Sequence, residues 1–147
     1  MTTINRSALV PFSAAQMYAL VNDIEAYPEF LPWCSGSCIL QQSESEIEAT
    51  VELSKGQLKK AFTTRNRLSK NREIEMELVE GPFKRLHGCW RFDEIESLGC
   101  KISMQMEFEF SSRMMSMLVG PVFNQIAGSL VDAFCSRAKQ VYGEVAL

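Results

Sequence analysis

Residues 101–141 read KISMQMEFEFSSRMMSMLVGPVFNQIAGSLVDAFCSRAKQV. The apolar period changes inside this stretch, and the change decides the fold. From Lys101 to Phe110, Ile102, Met104, Met106, Phe108 and Phe110 alternate with Lys101, Ser103, Gln105, Glu107 and Glu109. Successive side chains of a strand point to opposite faces, so this alternation specifies a strand with one dry and one wet face. Further on the spacing becomes helical. Val119, Phe123, Ile126 or Ala127, Leu130, Phe134, Ala138 and Val141 fall on one stripe. Arg137 and Lys139 stand in the last turns, where cations favour the negative end of the helix dipole. Pro121 has no N–H to donate, so it is expected to start or kink this helix. RMMSMLVG (113–120) is then a separate turn or a bent first segment.

Upstream, the two-residue period runs back to Ser37. Ile47, Ala49, Val51 and Leu53 alternate with glutamates and Thr50. Ile74, Met76 and Leu78 alternate with Glu73, Glu75 and Glu77. Leu86, Gly88, Trp90 and Phe92 alternate with Arg85, His87, Cys89 and Arg91. Breaks near Glu44, Lys55–Gly56, Asn71, Gly81–Pro82 and Gly99 are turn signals. They divide the run into six strands, and Ile4–Val10 supplies a seventh. Ser13 and Gln16 form a capping box that opens a helix, with Met17, Leu20 or Val21, and Ile24 on its apolar face. In EAYPEFLPWCSG (25–36), Pro28 suits the first turn of a second, short helix and Pro32 stops it after Leu31. The expected fold is α+β: a seven-stranded curved antiparallel sheet wrapped round one long C-terminal helix, with two short N-terminal helices.

One helix cannot cover seven strands, so a cavity is expected between sheet and helix. Parity places Trp90, Phe92, Met104, Met106 and Phe108 toward the helix, with Phe62, Thr64 and Asn66 on the same face of their strand. Phe123, Ile126, Leu130 and Phe134 face them from the helix, and Phe30, Leu31 and Trp33 stand inward or at the rim. These residues read either as plain core or as the lining of a pocket. Thr64 and Asn66 favour a pocket, because polar groups on a dry face need partners.

The 147 residues suit one domain, 1–147, and are 46% apolar and 22% charged. A net charge of −3 gives no overall basic character that would suggest nucleic acid. The N-terminus has no apolar core of a signal peptide. Met114–Val131 carries Gly120, Pro121, Asn124, Gln125 and Gly128, too polar a set for a membrane span, so membrane contact would be transient. Five scattered cysteines with no CxxC pair, and a single histidine, offer no metal ligand set. They suit reduced thiols in a cytoplasmic protein. His87 falls on the wet face, and no nucleophile–histidine pairing or phosphate-cradling glycine loop is present. Thr64 and Asn66, the polar groups on the dry face, carry no usable proton near neutral pH. No catalytic residue and no enzyme activity is read.

SALVPFSAAQMYALVNDIEAYPEFLPWCSG (7–36), FTTRN (62–66) and EGPFKRLHGCWRF (80–92) resemble the coenzyme Q-binding START-like family of the polyketide cyclase/dehydrase superfamily. The resemblance covers nearly the whole chain. It implies a helix-grip fold with a hydrophobic cavity, no required cofactor, and ubiquinone or another isoprenoid lipid as the ligand. Eukaryotic relatives imply a ubiquinone or lipid carrier, or chaperone, supporting respiration. A bacterial toxin branch implies binding to the large ribosomal subunit and hindered subunit joining.

One charge run bears on that second implication. Lys55, Lys59, Lys60, Arg65, Arg67, Lys70 and Arg72 occur with no acid among them. They read either as a stripe that contacts ribosomal RNA or protein, with salt-sensitive affinity, or as partners for Glu48, Glu52, Glu73, Glu75 and Glu77 on neighbouring strands.

Overall fold

The computed structural model describes residues 2–143; Met1 and residues 144–147, part of the expected single domain, lie outside the described residues. Strands β1 (Thr2–Val10), β2 (Cys34–Gln42), β3 (Glu46–Lys55), β4 (Leu58–Ser69), β5 (Glu73–Glu80), β6 (Phe83–Ile95) and β7 (Gly99–Phe110) form one antiparallel sheet in the order β1-β7-β6-β5-β4-β3-β2. Every strand after β2 pairs with the one before it, and β1 closes onto β7. Helices α1 (Ala14–Asn22) and α2 (Tyr27–Phe30), joined by a 3-10 turn at Ile24–Ala26, lie between β1 and β2. Helix α3 (Arg113–Tyr142) lies on the dry face.

The turns follow their residues. Asn71 and Ser97 take positive φ in the β4–β5 and β6–β7 turns, and Gly56 does so in the β3–β4 turn. At Gly99 a Cβ would sit 1.9 Å from the Val10 carbonyl oxygen, so only glycine lets β7 start against the end of β1. The capping box of α1 forms: Ser13 Oγ accepts from Gln16 N at 3.1 Å, and Gln16 Oε1 accepts from Ser13 N at 2.9 Å. Glu94 Oε2 of β6 accepts from Ala14 N at 2.7 Å, so a third free donor of the helix start is met from the sheet.

Helix α3 corrects the expectation at Pro121. The helix starts eight residues earlier, where Ser112 Oγ accepts from Met115 N at 3.1 Å, and it runs through the proline. A proline inside a helix costs about 3 kcal/mol. Burial of Val119 and Phe123 on either side recovers about 1.5–3 kcal/mol each. Gly120 has no Cβ to meet the proline ring, which removes part of the usual clash. The same helix is long and apolar enough to cross a membrane by length and composition, unlike the reading of Met114–Val131. Its apolar stripe instead packs along the sheet: Val119, Phe123, Ile126, Ala127, Val131, Phe134 and Ala138 are all buried.

Candidate functional site

The core is solid at both ends of the helix–sheet interface and open in the middle. Under α1, Phe92 meets Tyr18 edge-on at 5.7 Å, and Ile102 and Met104 are fully buried beside them. At the start of α3, Phe108, Phe83 and Phe123 pack at 4.8–6.3 Å. Between these ends the sheet turns small or polar residues inward: Ala49 on β3, Thr64 and Asn66 on β4, Gly88 on β6, facing Ala127 on α3. The missing volume is a cavity of about 70 Å³. Met76 takes some of it by lying across Gly88, where a Cβ would stand 2.6 Å from its methyl carbon.

Ten of the fifteen expected lining residues border this cavity. They are Trp33, Phe62, Thr64, Asn66, Trp90 and Met106, with Phe123, Ile126, Leu130 and Phe134 of α3. Phe30, Leu31, Phe92, Met104 and Phe108 do not. Phe30 packs on Phe134 at 5.4 Å beneath the Arg137 guanidinium, and Leu31 is buried with Ile24 and Ile47. The other three are core beneath α1 or at the start of α3. Parity assigned the face of each correctly; it carries no information on position across the sheet. The sequence reading missed Ala49, Val51, Leu53, Met76 and Leu86, although their alternation marked the same face. It also missed Ile24, although the sequence puts it on the apolar face of the first helix, and Tyr27, one of the large aromatics crowded into EAYPEFLPWCSG.

Polar chemistry inside the cavity is sparse. Thr64 Oγ1 donates to Asn66 Oδ1 at 3.0 Å, with both residues over nine-tenths buried. Tyr27 turns its ring to the cavity, and its hydroxyl donates to the Val21 carbonyl; burial, with Cys34 and Asp23 nearby, raises its pKa strongly. His87 is exposed on the outer face. Among the described residues no group of three or more His, Cys, Asp or Glu could hold a metal ion.

Helix α2 covers one end of the cavity and is tied down. Tyr27 and Phe30 both pack on Phe134, Arg137 pairs with Glu29 at 3.2 Å, and Ser54 N donates to the Trp33 carbonyl at 2.8 Å. Beyond it lies a groove of about 460 Å³. Pro32 and Trp33 form one wall, Ser54, Lys55 and Gly56 of the β3–β4 turn a second, and Val122, Gln125, Ile126 and Ser129 of α3 the third. Trp33 and Ile126 border both spaces, so they are the partition between groove and cavity.

The basic run does not form one surface. Lys59, Arg65 and Arg67 share the outer face, and each is paired: Lys59 with Glu52 at 3.6 Å, Arg65 with Glu46 and Glu48 at 3.2 and 3.0 Å, Arg67 with Glu77 at 2.8 Å. Lys55 and Lys60 fall on the other parity, and Lys55 Nζ donates to Gln125 Oε1 at 3.1 Å. Lys70 and Arg72 stand in the β4–β5 turn, about 36 Å along the strand. Lys55, Lys60, Lys70 and Arg72 form no ion pair among the described residues.

A family described as polyketide cyclase / dehydrase and lipid transport matches residues 10–135. The ribosome association toxin RatA of Vibrio cholerae serotype O1 is 52% identical over 144 residues, 98% of this chain and 100% of the relative. The mitochondrial coenzyme Q-binding protein COQ10 homolog B of Xenopus laevis is 27% identical over 143 residues, 95% of this chain and 59% of the relative. The crystal structure of the Zhui aromatase/cyclase from Streptomyces sp. R1128 matches with a TM-score of 0.85 at 14% identity, over 98% of this chain and 99% of that one. That last likeness is one of fold alone.

Proposed function

The chain belongs to the polyketide cyclase / dehydrase and lipid transport family, and from that premise we propose that it is a non-enzymatic protein that binds the large ribosomal subunit and hinders its joining to the small one. The observation that carries this reading is the 52% identity, over 98% of the chain, to a relative named for ribosome association. The cavity supports it by exclusion. Ligand sites for small molecules enclose about 300–1,000 Å³, and the cavity of about 70 Å³ falls well below that range. Its polar groups are two neutral side chains and a tyrosine whose proton is held more tightly than usual, so general acid–base work lacks a carrier. Five free cysteines accord with a cytoplasmic setting.

The cations without carboxylate partners among the described residues, Lys55, Lys60, Lys70 and Arg72, are the members of the basic run available to a polyanion. The test is co-sedimentation of the purified chain with large subunits over a salt series. Binding that weakens as salt rises, and joining of small subunits that falls as the chain is added, are the expected results. A chain that leaves both subunits untouched at low salt sinks the reading.

A second reading, a lipid or quinone carrier, draws on the likeness to COQ10 homolog B and on the apolar lining with Thr64 and Asn66 as a polar point. It requires the Trp33–Ile126 partition to open and join the groove to the cavity. Extraction of co-purifying lipid, with a rise in Tm on adding a quinone, is its test.

A further inference from the structure

We propose that the groove walled by Trp33, Lys55 and Gln125 is a docking site for one unpaired nucleotide of single-stranded RNA. The proposal rests on the reading of ribosome association and names the surface and chemistry that would serve it.

The sheet's outer face is unsuited to RNA. Its cations on β4 are each taken by a carboxylate of β3 or β5, and Arg91, Lys101 and Arg85 stand opposite Glu73, Asp93 and Glu109. Glu75 and Glu107, on the same parity, form no ion pair among the described residues. A polyanion meets fixed negative charge there. The groove is the converse: among the described residues Lys55 is the one charged residue in its lining, and no carboxylate borders it.

Its other groups match what an unstacked base needs. Trp33 is partly exposed and offers an aromatic plane, on which any base can stack. The Gln125 amide, and the Ser54 and Ser129 hydroxyls, offer donors and acceptors to a base edge. Lys55 reaches across to Gln125, so its ammonium stands at the rim, where a phosphate would pass. Gly56 beside it leaves open space where a Cβ would be, so a nucleic acid backbone can come close. A volume of about 460 Å³ lies inside the range of small-molecule sites. A protein partner would need a far broader face, about 800 Å² on each side.

The experiment uses the full chain and its two tryptophans. Trp90 is buried, so a change in emission on adding RNA reports Trp33. Titration with a short oligoadenylate is expected to quench that emission. Trp33→Leu is expected to weaken RNA and subunit binding by about 5- to 150-fold. Lys55→Gln and Gln125→Ala, at exposed positions that leave the fold intact, are expected to weaken both, while Arg67→Gln on the outer face leaves both unchanged. Subunit binding that is normal in Lys55→Gln and Gln125→Ala overturns the groove and leaves ribosome association standing. Variants that lose the subunit while oligoadenylate leaves Trp33 emission unchanged assign the groove to a ribosomal protein and overturn the proposal. RNA binding at the groove in a chain that ignores the subunit upholds the groove and sinks ribosome association instead.

Discussion

Lys59 and Lys60 are neighbours in sequence and lie on opposite sides of the sheet. Lys59 points outward to Glu52; Lys60, on the parity of Phe62, has no carboxylate partner among the described residues. The same contrast holds for the two faces at large. The outer face is a ladder of exposed pairs between β3, β4 and β5 that neutralise one another. The inner face is a packed aromatic core with a small void and, at its mouth, a groove with an unneutralised lysine. A run of seven cations that looks like one feature in the sequence is two electrostatic environments and a distant turn. The period-two geometry of a strand makes the division, because it sends adjacent residues to different solvents.

The sharpest way to break the comparison is to damage the inner face. Phe134 touches Tyr27, Phe30 and Trp90 and is 1% exposed, so Phe134→Ala is expected to cost about 3–5 kcal/mol, read as a fall in denaturation midpoint. A loss below 1 kcal/mol would mean that α2 and α3 are not coupled through this ring. Next comes the buried polar pair. Thr64→Val removes the donor to Asn66 Oδ1 and leaves that oxygen without its partner, at a cost of about 1–3 kcal/mol by the same measurement.

On the outer face the effects are smaller. Arg67→Gln breaks an exposed pair and is expected to cost less than about 1 kcal/mol, with the loss shrinking in high salt. Equal costs for Arg67→Gln and Thr64→Val would erase the difference between the faces. The smallest effect is a titration. Hydrogen bonding from Ser35, with Lys59 nearby, holds the Glu52 carboxyl below the usual carboxylate range. A depressed folded-state pKa adds stability above the unfolded value and loses it as pH falls through the folded one. A Ser35→Ala chain should therefore lose less stability than the parent on acidification below about pH 4.5. Thermal melts across that range check it, and identical profiles for the two chains would discard it.

Thiols divide along the same lines. Cys89 lies on the outer parity but donates to Glu73 at 3.0 Å, and burial together with that carboxylate pushes its pKa up to about 12. Cys100, fully buried, is pushed up to about 11. Iodoacetamide at pH 8 is expected to modify Cys38, which is exposed, well before either of them. Mass spectrometry of the folded chain after brief exposure reads the order.

Much of this architecture is legible in the sequence. The strand faces, the turn positions, the Ser13–Gln16 cap and the stripe of α3 each depend on residues within a few positions of one another, and each formed where its local pattern required, except that the stripe ends at Ala138 and leaves Val141 exposed. The path of α3 through Pro121 was not legible. Continuation depends on what Val119, Gly120 and Phe123 bury against, and those contacts come from β6 and β7. Nor was the extent of the cavity. Phe92, Met104 and Phe108 share the inward parity with Trp90 and Met106, yet α1 and the start of α3 cover them, and only the middle of the sheet stays open.

The sequence by itself determined which face of strands β3–β7 turns inward, because that follows from the local repeat of a strand. The tertiary structure decided the rest: which inward residues border a void, which cations find carboxylates, and where Trp33, Lys55 and Gln125 meet. Those outcomes rest on cross-strand register and on the seating of one helix against seven strands. They bring together residues from distant parts of the chain, and no local period encodes them.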